Sequence, residues 1–161
     1  MTSTAGSSPR LMRFTLLIYW GCILLGIGIP WLATIASDVI VHDQSVMEAL
    51  HQLRLHLFAP GYNLFLIAVL NAVPFTLFAI FSLFHLGLVS LQDRKLISRR
   101  GSGVVVTALG LIGVSTWTHL TTLWHPDAQG AIAYLFIPFV LFWLMPAGYA
   151  LGRGLGMLIF R

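Results

Sequence analysis

Apolar positions in this chain fall in long blocks broken by short polar segments. No charged side chain occurs from residue 14 to 37, from 55 to 92, from 103 to 124 or from 130 to 152. Runs of 18 or more apolar residues are long enough, at 1.5 Å per residue, to cross a hydrocarbon core about 30 Å thick. The pattern predicts an all-α fold, an integral membrane bundle of four transmembrane helices. Their spans are about 14–37, 62–91, 103–124 and 130–153, and residues 13–161 form one membrane domain. Residues 1–12 begin with the small, polar "MTSTAGSSP", which offers little apolar area to bury, and read as a mobile cytoplasmic tail. Arg10 and Arg13 followed by an apolar run and "ATIAS" also fit a secretory leader. The uncharged stretch is longer than such a leader's apolar region, so it reads as a retained span.

The pattern changes between the first two spans. "SVME", Ser45 to Glu48, matches a capping box, and Val46, Leu50, Leu53 and Leu57 follow at helical spacing until Pro60 and Gly61. This predicts a short amphipathic helix over residues 45–58, lying in the outer interface with Glu48, His51, Gln52 and Arg54 toward water. The competing expectation is that it caps the bundle over a cavity mouth.

Polar residues inside the spans are not scattered. At 100° per residue, Ser115, Thr118, His119 and Thr122 share about 100° of one helix face, and Asn63, Asn71, Pro74, Ser82 and His85 share about 100° of another. Thr15, Tyr19, Cys22, Gly26 and Ser37 give the first helix a similar small or polar side. Such faces should turn inward, because polar groups against lipid go unsatisfied and small residues there waste close packing. Asn71, Ser82, His85, Ser115, Thr118, His119 and Thr122 are therefore candidates for a polar cavity, weighed against the commoner outcome of interhelical packing.

Composition agrees with the pattern: 58% of residues are hydrophobic and only 9% charged. Charge adds direction. Arg10, Arg13, Arg94, Lys95, Arg99, Arg100, Arg153 and Arg161 flank one side of the predicted spans, and Arg54 alone falls on the other. Basic residues stay cytoplasmic, so both termini are expected inside and residues 38–61 and 125–129 outside. The net charge of +4 then reflects topology. Anionic inner-leaflet lipid at Arg94, Lys95, Arg99 and Arg100 is the expected electrostatic partner, with no nucleic acid. In a bacterium the location would be the plasma (inner) membrane.

Candidate chemistry is thin. His85, near the inner end of one span, and His119, near the outer end of the next, should differ in depth by roughly 15 Å at 1.5 Å per residue, too far to share one haem iron. An outer-face metal or haem site would draw on His51, His56, His119 and His125. However, the five-residue step from His51 to His56 splays them around a helix instead of stacking them. The size resembles that of the small multidrug transporters in outline only, since an ion-coupled carrier usually holds an ionisable residue within a span and the first three spans have no Asp, Glu, Lys or Arg inside. One cysteine, Cys22, excludes an intrachain disulfide. No acid–base pair points to an enzyme and no cofactor is favoured. Gly148, Gly152 and Gly156 place two overlapping small-xxx-small steps on one face of the last helix and predict a close helix contact, within the chain, with a second copy or with another membrane subunit. The leading expectation is a non-catalytic accessory or assembly subunit of a larger membrane complex. A small homo-oligomeric channel or carrier comes second, and an outer-face histidine metal or haem-binding redox protein third.

Overall fold

The computed structural model describes the backbone of residues 9–60, 62–87, 94–124 and 130–160, with side chains within 16–60, 62–86, 95–124 and 132–160. Within these residues the chain is all helical: α1 (Pro9–Ile40), α2 (Val46–His56), α3 (Leu64–Gly87), α4 (Arg94–Trp124) and α5 (Gly130–Ile159). All but α2 are long and apolar enough to cross a membrane. Their outward faces are apolar as well. Leu17, Trp20, Leu24, Trp117, Phe139 and Trp143 are each more than half exposed, a surface suited to lipid rather than water.

Three boundaries differ from the sequence expectation. The chain is already helical at Pro9, where the described residues begin, so residues 9–12 belong to α1 rather than to the expected tail. α4 starts at Arg94, which makes most of the basic stretch expected as a connecting loop the opening turns of a helix. α5 runs on to Ile159, beyond the expected end at residue 153. The cause is common to α4 and α5: lack of charge marks where lipid tolerates the chain, whereas Lys, Arg and Leu favour helix well past that limit.

The bundle consists of two closely packed pairs, α1 with α3 and α4 with α5, which meet less extensively through α1–α4, α3–α5 and α3–α4. Trp31 on α1 donates to the Leu64 carbonyl at the start of α3, and Arg100 on α4 donates to the His85 carbonyl near the end of α3. These contacts define two ends. One carries α2, and the other, the basic end, carries Lys95, Arg99, Arg100 and Arg153. The centre is filled by Phe75, Phe78, Leu111 and Leu141, all essentially inaccessible.

The capping box of α2 is present: the Ser45 hydroxyl accepts from the Glu48 N–H, while the Glu48 carboxylate accepts from the Ser45 N–H at 2.8 Å and its hydroxyl at 2.7 Å. These bonds hold the Glu48 carboxyl below the usual glutamate range. Asp43, at φ 51°, makes the preceding turn in the left-handed region that aspartate tolerates. Ala49 is fully buried, whereas Val46 and Leu50 of the expected apolar face are exposed.

Candidate functional site

The polar residues singled out by helical spacing separate into two places. The first is mid-bundle. Pro30 in α1 has no N–H to give to the carbonyl four residues back, which leaves the Gly26 oxygen without its helical partner. Asn71 on α3 supplies one, its Nδ2–H donating to that oxygen at 2.8 Å. The Ser115 hydroxyl on α4 then donates to Asn71 Oδ1 at 2.9 Å. One amide thus joins α1, α3 and α4, and Asn71, Ser115 and Pro30 are all essentially buried. Gly26 permits this approach, since a Cβ there would sit 2.8 Å from Ala72 Cα and 3.0 Å from Phe75 Cβ.

His119 continues the line toward the α2 end. Its Nδ1 lies 2.8 Å from the Ser115 carbonyl, and its ring stands 5.6 Å from that of Tyr134. The Tyr134 and Tyr62 hydroxyls are 3.3 Å apart, and the Tyr62 ring is 5.9 Å from the ring of His56. Thr118 and Thr122 do not join the line; each bonds a carbonyl on its own helix.

Ser82 and His85 belong to the other place, at the basic end. The His85 ring stacks on Phe81 at 4.0 Å and meets Tyr149 of α5 edge-on at 5.2 Å. The His85 carbonyl accepts from Arg100 near the start of α4, whereas His119 lies near its end, so the two histidines sit toward opposite ends of the bundle.

The histidines expected at an outer metal site lie in different settings. His51 and His56 are exposed on α2, His119 is buried against Tyr134, and His125 lies outside the described residues. Among the described residues no three His, Cys, Asp or Glu side chains gather as a metal site.

The glycine stripe of α5 packs against α4 of the same chain. A Cβ on Gly152 would lie 2.7 Å from both the Ser102 carbonyl and Val106 Cβ; one on Gly148 would lie 3.2 Å from Thr107 Cα, and one on Gly156 would strike the Ser102 hydroxyl. Ser102 also donates to the Gly152 carbonyl at 2.9 Å. Gly154, off the stripe, has nothing within 4 Å of its Cβ position.

Two cavities lie between α3 and α5, about 540 and 680 Å³, and both are bordered by Leu77, Phe142 and Trp143. Their walls are almost wholly apolar. His85 and Tyr149 line the end nearer the basic residues. Helical spacing could not reveal the grouping of Arg100 and Tyr149 around His85, which depends on how α4 and α5 face α3. The pairing of Pro30 with Gly26 was accessible from sequence, as a proline four residues after a buried glycine.

Comparison with known protein families, with characterised proteins and with solved structures finds no match to this chain.

Proposed function

We propose that this chain is a non-catalytic accessory or assembly subunit of a larger membrane complex. In this reading the basic end and both termini face the cytoplasm, and in a bacterium the chain resides in the inner membrane. The observation that carries the reading is the use made of the mid-bundle polar groups. Asn71, Ser115 and His119 bond to one another or to backbone within the chain, so they serve cohesion rather than a solute path. The glycines of α5 are likewise spent on α4. Contacts with a partner would then use the broad rows of exposed Leu, Phe and Trp on the outer faces. Orientation follows from the distribution of Lys and Arg between the two ends.

Purification in a mild detergent followed by mass analysis tests the proposal. Stoichiometric co-purification of a different membrane subunit is the expected result. A protein recovered only alone or as copies of itself overturns it.

A homo-oligomeric carrier or channel is the second reading, favoured by the ring and hydroxyl line from exposed His56 through Tyr62 and Tyr134 to His119. Solute flux in vesicles that disappears in Asn71→Leu while the protein stays folded would establish it in place of the first.

A further inference from the structure

Four buried polar side-chain atoms without a hydrogen-bond partner belong to the basic-end parts of α3, α4 and α5: Ser82 Oγ, Arg100 Nε, Tyr149 Oη and Arg153 Nε. Every one carries a hydrogen to donate. The only other such atom among the described residues, Gln44 Oε1, lies at the α2 end. Buried donors normally find acceptors, so a local concentration of unmet ones marks a place where an acceptor belongs. Arg100 donates to the His85 carbonyl, and Arg153 stands one helical turn beyond Tyr149, whose ring meets that of His85 edge-on. The described acidic residues, Asp38, Asp43 and Glu48, are all at the far end, and Asp93 and Asp127 lie outside the described residues.

Of these residues Tyr149 lines the α3–α5 seam itself. His85 and Tyr149 line the nearer cavity, which continues past Leu77, Phe142 and Trp143 into the second, reaching Leu70 and Leu135. From His85 to Leu70 is fifteen residues of helix, or about 22 Å. Basic side chains on the helices at one end of a long apolar trough match an anionic head joined to a hydrocarbon chain, and no chainless ion would use the trough.

We infer that the α3–α5 seam binds one anionic phospholipid, its phosphate held by Arg100, Arg153 and Tyr149 and an acyl chain lying along Leu77, Phe142 and Trp143. This goes beyond a general attraction of the basic end for anionic lipid, because it assigns different roles to neighbouring arginines. Arg99 donates to the Phe160 carbonyl and is not one of the unmet donors.

Native mass spectrometry of the detergent-purified, delipidated chain tests the assignment, with phosphatidylglycerol and phosphatidylcholine of identical acyl chains as probes and glycerol phosphate as a chainless competitor. One phosphatidylglycerol should bind at least tenfold tighter than phosphatidylcholine. Arg153→Gln should remove most of that preference and Arg99→Gln should leave it. Leu77→Trp, which fills the seam, should weaken both lipids alike, and glycerol phosphate should not compete. Thermal unfolding of each variant in the same detergent reports folding, and the head and seam variants fail independently. Equal losses from Arg99→Gln and Arg153→Gln would reduce the effect to general surface charge and overturn the site. Effective competition by glycerol phosphate, or unchanged lipid binding in folded Leu77→Trp, would remove the seam from it. Loss of a protein partner in Leu77→Trp with lipid binding intact would give the seam to a partner helix instead.

Discussion

The side-chain amide of Asn71 donates to the carbonyl of Gly26, the oxygen that Pro30 leaves without a helical donor. A bond between α1 and α3 therefore repairs a gap within α1. Asn71→Leu should leave insertion intact and cost about 1 to 2 kcal/mol of bundle stability, measured by unfolding in mixed detergent micelles. Pro30→Ala restores an N–H at position 30 and with it a local donor for Gly26. In that background Asn71→Leu should cost less, with a coupling of about 0.5 kcal/mol or more. Equal costs in the two backgrounds would mean that the Asn71 bond does not replace the missing helical one.

Gly152 and Gly154 form a matched pair of positions. Isoleucine at 152 must push apart the Ser102 carbonyl, Val106 and Gly103, whereas at 154 its Cβ meets nothing within 4 Å. Gly152→Ile should lower the unfolding free energy in detergent by about 1 to 3 kcal/mol or more. Gly154→Ile should be nearly neutral. Similar losses at both sites would show that the stripe is not a packing contact.

The cap of α2 responds to pH in a definite direction. Glu48 ionises more readily in the folded cap than in an unfolded chain, because Ser45 donates to its carboxylate. Its contribution is present above the ordinary glutamate range and fades as pH falls through the lowered value. Amide exchange in α2, corrected for intrinsic rate, should accelerate below that range, and Ser45→Ala should accelerate it at neutral pH by an amount equivalent to about 1 kcal/mol. Glu48→Gln should flatten the acid response, and a response that survives this change would assign it to another group.

The proposed orientation is checked by single-cysteine labelling in a Cys22→Ser background. Lys95→Cys, exposed at the basic end, should react with an impermeant reagent only after the cytoplasmic face is opened. His42→Cys, exposed at the α2 end, should react from outside intact cells. The reverse pattern would invert the topology.

Charge-free runs were enough to locate the four long helices, since lipid penalises charge strongly wherever the helices pack. They could not set the helix ends, because α4 and α5 continue through Lys and Arg that lipid excludes but helices accept. Helical spacing correctly gathered Asn71, Ser115 and His119 on inward faces. It also made Ser82 and His85 candidates for the same cavity, since angle around a helix carries no information about depth, although counting residues along the spans already set His85 and His119 toward opposite ends. The glycine stripe was visible in sequence while its partner was not: any helix with room could have filled the role, and only packing selects Ser102, Gly103 and Val106 of α4. Tyr149 gave no sign in the sequence of its contact with His85, which emerges only once α3 and α5 are side by side.

The two-pair arrangement bears on how the chain is made. α1 and α3 find their principal neighbours in each other, so the first half can settle in the bilayer while the ribosome is still producing the second. α4 and α5 then zip along their glycine contact, and the later meeting of the halves is pinned by the Ser115 hydroxyl reaching Asn71. Two separately expressed fragments, divided within residues 88–93, would carry everything each pair needs and should reunite in the membrane. Polypeptide continuity would then supply proximity, while the information for assembly resides in the helices themselves.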